Sequence, residues 1–187
     1  SPLLAEFYKT EPRVHIDVQE DSSQRLLPLL LNGGLDAVFC REPVLLPASY
    51  VFKPLQPDEP VIMASTRHPL AKRRGVALSA LKDSRWVLPT ATIAVREIFE
   101  REVLAALPDA LQFPVSTVSL PVFASLLNQP DAVALVPQSI APVLPSGAQL
   151  CQLDVQLSSP LPPLGVVHRR EQIPAMLIRM LKSWRNK

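Results

Sequence analysis

The residues best suited to chemistry are hydroxyls and one guanidinium placed where short apolar runs end. Ser65 closes the run Pro60–Ser65, and Thr90 and Thr92 follow Arg85–Leu88. Thr117 and Ser119 end or follow Val115–Val118, while Pro137 and His168 stand at the ends of two more runs. Open α/β sheets bind ligands outside the carboxyl ends of their strands, so these positions suit recognition of a small molecule. Thr92 can cap a helix whose free N–H groups favour an anion, and Arg96, one turn in, can grip a carboxylate in bidentate fashion. Phe123 offers an apolar wall. Each has a plainer reading. Thr92 as a simple N-cap contributes ~1 kcal/mol. Arg96 also suits a solvated helix surface, and Ser65 and Ser119 suit turns. The helical spacing of Phe123 suits a core, and His68 suits a turn.

Nothing in the chain supplies a catalytic set. His15, His68 and His168 lie far apart, without metal-ligand spacing. There is no G-x-S-x-G elbow, no P-loop and no G-x-G-x-x-G, so no nucleophile with its base and no cofactor is expected.

With 48% hydrophobic and 19% charged residues among 187, the chain can bury a core and is not disordered. A net charge of +2, with both signs interleaved, announces no nucleic-acid surface. The cluster Lys72-Arg73-Arg74 lacks interleaved aromatics and reads as a solvated turn, as does Arg169-Arg170. No apolar run approaches the ~20 residues of a membrane span. Residues 1–12 lack the basic-then-apolar order of a signal peptide. Cys40 and Cys151 are too few for a disulfide framework, so buried thiols in a reducing cytoplasm are expected rather than a redox pair.

Several elements must position these residues. A short helix carries Leu3, Leu4 and Phe7, and Val14–Gln19 alternates as a half-buried strand. Ser22 or Ser23 caps a leucine-rich helix that Gly33-Gly34 ends and that Pro28 should kink or displace. Strands are predicted at 35–40, 50–55, 60–65, 85–88, 115–118, 132–136, 150–153 and 164–168. Helical turns are predicted at 76–82, from Thr92 onward, at 122–129, at 139–144 and from Pro174 to the end. Alternation of strands and helices predicts an α/β protein with mostly parallel sheets. The 21 prolines gather at element junctions, where proline fixes chain direction.

Two stretches carry a family resemblance. One is Gly33-Gly34-Leu35-Asp36-Ala37-Val38-Phe39 after the leucine-rich helix. The other is His68-Pro69-Leu70-Ala71, then Val76-Ala77-Leu78 and Leu81, then Trp86-Val87-Leu88-Pro89. With Phe7, Pro12 and Val14, they resemble the effector-binding domains of LysR-type transcription regulators over essentially the whole chain. Thr92 to Arg96, Val115 to Ser119, Leu126-Leu127, Leu135-Val136-Pro137, Gly147 and Leu150 are similar to the subgroup of galactose-binding-protein and aromatic-catabolism regulators.

The resemblance implies two Rossmann-like α/β lobes with a double crossover, of the periplasmic-binding-protein-like type 2 class. By analogy, lobe I is 1–74 plus 165–187 and lobe II is 75–164. A small effector (a sugar, an aromatic acid or another small carboxylate) would lie between them. Under that analogy Ser65 and Ser119 supply hydroxyls to the effector, and His168 lies close to the second crossover. The resemblance also places a first strand, its loop and a winged helix-turn-helix ahead of Ser1, so DNA would be bound only through that missing domain. It implies a homodimer or tetramer without membrane contact, packed through Gln24–Leu31 and Val122–Gln129. The effector would select one lobe arrangement over another. A periplasmic solute-binding protein is the alternative on the same fold, followed by a small enzyme.

Overall fold

A computed structural model describes residues 8–9, 13–91, 93–144, 149–171 and 178–179. The first helix, around Leu3, Leu4 and Phe7, the site candidate Thr92, and most of the last helix lie outside the described residues. The chain divides into two compact units, Ser1–Pro57 with Pro162–Lys187, and Asp58–Leu161.

In the first unit, α1 (Ser23–Leu31) packs on a three-stranded sheet of β1 (Ala37–Arg41), β8 (Leu164–Arg169) and β2 (Tyr50–Gln56), with β8 central. Leu26 and Leu30 of α1 meet Val38, Cys40, Tyr50 and Val167, so one face of the sheet and one stripe of the helix form the core. Pro28 stands inside α1, which is nevertheless an unbroken nine-residue helix. The Tyr50 hydroxyl donates to the Leu30 carbonyl at 3.1 Å, satisfying one of the acceptors a helix leaves at its end. Gly33 takes φ +78 directly after the helix, the left-handed turn that glycine permits. At Gly165 of β8 a Cβ would collide with the Lys53 carbonyl and the Phe52 ring, so the strands close only around glycine.

The second unit holds a five-stranded sheet in the order β5-β4-β6-β3-β7: β5 (Leu111–Ser116), β4 (Arg85–Leu88), β6 (Ala132–Pro137), β3 (Pro60–Ser65) and β7 (Leu150–Leu153). Both faces are covered. Ile62, Ala64, Trp86, Leu88, Val133 and Leu135 face α2, which runs over 94–106 and brings Val95, Ile98, Phe99 and Val103. Val61, Met63, Val87, Ala132, Ala134 and Val136 face α3 (Leu120–Leu127), which brings Phe123 and Leu127. The alternation along β3 and β6 therefore divides two cores, as the pleat requires. This explains why these strands read as continuous apolar runs.

Four expectations change. The sheets are not mostly parallel: among the strands of the described residues β1–β8, β2–β8, β3–β6 and β3–β7 are antiparallel, and only β4–β5 and β4–β6 are parallel. Strand–helix alternation misses this because β3 and β8 enter their sheets directly from the other unit rather than through a helical crossover. Second, Val14–Gln19 forms no ladder among the described residues, and Val14 and Val18 are exposed. Alternation marks a strand only where a neighbour is present to pair. Third, the first crossing between units falls at Pro57/Asp58 rather than after residue 74, because β3 is held between β6 and β7. The second falls at Leu161/Pro162 rather than at 164/165. Fourth, the expected strand 115–118 begins at Leu111, and helix 139–144 is a single 3-10 turn, Ala141–Val143.

Candidate functional site

Register places the chemistry-bearing residues at the two ends of the five-stranded sheet. Arg85 pairs with Ala132 and Leu88 with Ser116, while Pro60 pairs with Pro137. The carboxyl ends of β4, β5 and β6 and the start of β3 thus share one edge. Thr90, Thr117, Ser119 and Pro137 gather there, and α2 and α3 both begin there. The Thr117 N–H donates to the Leu88 carbonyl at 3.2 Å, holding the two strand ends together.

Two of the hydroxyls at this edge, those of Thr117 and Ser119, frame the start of α3. The Thr117 Oγ1 accepts the Ser119 N–H at 3.0 Å. Ser119 is exposed and stands before α3, yet its side chain makes no capping bond. Arg96 lies in the first turn of α2. Its Nε donates to Glu100 Oε1 at 2.7 Å, and its guanidinium sits 5.8 Å from the centre of the Phe99 ring. The pair is i,i+4 on a partly exposed surface, so it orients Arg96 more than it stabilises the helix. Beyond it, Phe99–Val103 forms a π-helical turn, which swings Glu102 toward the chain before the second crossing. The Glu102 carboxylate accepts the Ser158 and Ser159 N–H groups at 2.6 and 2.9 Å. Partial burial raises its pKa, but these bonds and the nearby Arg101 outweigh it, leaving the pKa lowered.

Sequence reasoning missed Asp58 at this same edge. It is buried, with 7% exposed, and accepts the Glu59 N–H, the Ser139 N–H and the Ser139 hydroxyl at 3.0, 3.0 and 2.6 Å. Asp58 begins the second unit, so this carboxylate fixes the chain at the first crossing to the end of β6. An Asp preceding a strand and bonding the next N–H is a local turn signal that the sequence offered.

The other predicted residues fall elsewhere. Ser65 lies at the opposite edge, because β3 runs antiparallel to β6; it is 1% exposed and its Oγ accepts the Arg67 N–H at 3.2 Å. Phe123 is buried in the core against β3, β4 and β6. His168 belongs to the first unit, where its Nδ1 donates to the Arg169 carbonyl at 2.7 Å and its ring is buried. His68 builds the turn that follows β3. Its Nδ1 accepts the Leu70 N–H at 3.1 Å, so Nε2 carries the proton and donates to the buried Ser84 hydroxyl at 3.1 Å. Burial lowers the His68 pKa, partly offset by the charge of Asp131. This is a satisfied structural histidine, not a base.

Among the described residues no group of His, Cys, Asp or Glu could hold a metal ion. Burial pushes the Cys40 thiol up to about 11 and raises that of Cys151, which disfavours the reactive thiolate in both. No described helix is long and apolar enough to cross a membrane.

Residues 1–184 match the family model described as the LysR substrate binding domain. The HTH-type transcriptional regulator TtuA of Agrobacterium vitis is 35% identical over 88 residues, covering 47% of this chain and 29% of the relative. The chain spans between about a third and about half of the curated relatives it matches. Among solved structures, the CcmR regulatory domain of Synechocystis PCC6803 in complex with 2-PG superposes with a TM-score of 0.78 at 17% identity, covering 98% of this chain and 88% of that one. The effector binding domain of QuiR in complex with shikimate gives 0.70 at 17% identity, covering 98% and 86%. The fold is the periplasmic-binding-protein-like type 2 α/β class that the sequence motifs implied. The chain belongs to the LysR substrate binding domain family.

Proposed function

We propose that this chain is the effector-sensing part of a LysR-type transcription regulator and that it recognises a small carboxylate. One observation carries this reading. Thr90, Thr117 and Ser119 share one sheet edge with the starts of α2 and α3, and Arg96 stands in the first turn of α2. Two helix starts and a guanidinium favour a negative group, and the hydroxyls give it direction. The complexes of CcmR with 2-PG and of QuiR with shikimate support small-molecule binding on this fold. In the whole protein, a domain outside this chain would bind DNA in the cytoplasm, and the sensing parts would associate as a homodimer or tetramer through α1 and α3. Binding would act by favouring one arrangement of the two units.

A thermal-shift panel of sugars, aromatic acids and dicarboxylates tests the reading. A ligand at ~100 times its Kd should add ~2.7 kcal/mol of stability, roughly 5–10 °C for this length. Stabilisation by a carboxylate that Arg96→Ala abolishes supports it. Stabilisation by neutral sugars alone, untouched by Arg96→Ala, contradicts the carboxylate assignment.

A further inference from the structure

A concavity lies in the unit Asp58–Leu161, built from residues the effector reading does not use. The segment Ala71–Arg74 faces the edge strand β7 across a cavity of about 320 Å³ lined by Ala71, Lys72, Arg73, Arg74, Gln152 and Asp154. The wall is fixed in place. Gly75, at φ +57, turns the chain sharply after the three cations. Its N–H donates to Asp154 Oδ2 at 2.9 Å, and the Val76 N–H donates to the Asp154 carbonyl at 2.8 Å. Val76 then bridges to Val155. Behind the turn, the buried His68–Ser84 contact holds its other end.

We propose that this cavity is an anion site for a small phosphate ester. Three consecutive cations meet a single lining carboxylate, and among the described residues none of the three forms an ion pair. Like charges held together in a concave wall focus a positive potential that a mobile anion relieves. Two guanidinium forks and an ammonium match phosphate, with its several acceptor oxygens, better than a lone carboxylate. Asp154 and Gln152 give the site a second character. One Asp154 oxygen is committed to Gly75, and the other is directed to no hydrogen-bond donor among the described residues. It and the Gln152 amide suit a hydroxyl on the organic part of an ester, which inorganic phosphate does not offer. The volume exceeds that of phosphate alone and reaches the lower end of small-molecule sites, roughly 300 Å³.

Calorimetric titration of the full chain with glycerol 1-phosphate and with inorganic phosphate, at about 0.15 M salt where loose surface attraction is screened, tests the proposal. The expected result is saturable binding of the ester, tighter than phosphate. The exposed triple variant K72A/R73A/R74A should keep its melting temperature and lose at least about tenfold in ester affinity. Asp154→Asn should strengthen phosphate binding and narrow the preference for the ester. Arg96→Ala should leave ester affinity unchanged, which separates this site from the effector edge. The proposal is overturned if neither phosphate binds saturably, or if the triple variant binds as the parent does. It is also overturned if Arg96→Ala rather than the triple variant removes binding, or if only a random DNA duplex is lost on removing the cations.

Discussion

The two ends of the five-stranded sheet carry similar side chains put to different uses. At one end, Ser65, His68 and Ser84 are buried and bonded to one another's chain segments: Ser65 to Arg67, His68 to Leu70 and Ser84. Arg67 closes the C-terminal end of α3 there by donating to the Asn128 carbonyl at 2.6 Å. At the other end, Ser119 is exposed without a capping bond and Arg96 is only partly covered by Glu100. The difference follows from strand direction. Parallel strands β4, β5 and β6 deliver their carboxyl ends to the second edge, where the starts of α2 and α3 and the uncapped Ser119 form the proposed carboxylate site. The antiparallel β3 delivers Ser65 to the first edge, where helix C-termini and a tight turn consume the polar groups. A residue's place at a strand end therefore says little until the strand's direction is known.

The largest expected effect is on the carboxylate that fixes the ligand-side edge. Asp58→Ala strands the Ser139 and Glu59 N–H groups and should cost roughly 2–3 kcal/mol. Thermal melting should show this as a fall of about 4–12 °C. A fall below that of His68→Ala would mean the junction is not held by this carboxylate. Next, Arg96→Ala should weaken carboxylate effector binding about tenfold, close to 1.4 kcal/mol, while changing stability by well under that amount. Calorimetry together with melting separates the two quantities.

At the other edge the order reverses. His68→Ala and Ser84→Ala should each destabilise by about 1 kcal/mol, with a coupling of at least 0.5 kcal/mol in a double-mutant cycle, and neither should alter effector affinity. Acid should find this edge first. The folded-state pKa of His68 is below its ordinary 6.5, so the unfolded chain takes up the proton first. Its contribution to stability is complete above that value and is lost as pH falls through the lower folded pKa. Glu102 follows the same sign in a lower window, being lowered from 4.5. Urea melts across pH should show a slope below 6.5 that His68→Asn flattens and Glu102→Gln leaves in place. The smallest effect expected is that of Ser65→Ala on effector affinity, which should be nil.

Much of this was legible beforehand. The motifs His68-Pro69-Leu70-Ala71 and Trp86-Val87-Leu88-Pro89 identified the family, and the reason is now visible: His68 closes its turn and reaches Ser84, and Trp86 sits in the core edge-on to Phe99, with ring centres 5.2 Å apart. The strands β3, β4, β6 and β8 were readable as apolar runs because both faces of each are largely buried. Pairing direction was not readable, because it depends on which distant strand lies alongside, and this misplaced Ser65. Phe123 was ambiguous for a different reason: helical spacing is the same whether a side chain lines a core or a ligand. Asp58 went unread because two of its three bonds go to Ser139, far along the chain, and only the bond to the Glu59 N–H is local. The Val14–Gln19 alternation was real in sequence but has no ladder partner among the described residues.

The most direct test of the central claim is an amide chemical-shift map of the chain titrated with a stabilising carboxylate from the effector panel. The account predicts that the largest shifts fall at Thr90, Arg96, Thr117 and Ser119, with Ser65, His68 and Ser84 unmoved. Shifts centred on Ser65, His68 and Ser84, with Thr90 and Thr117 silent, would contradict it.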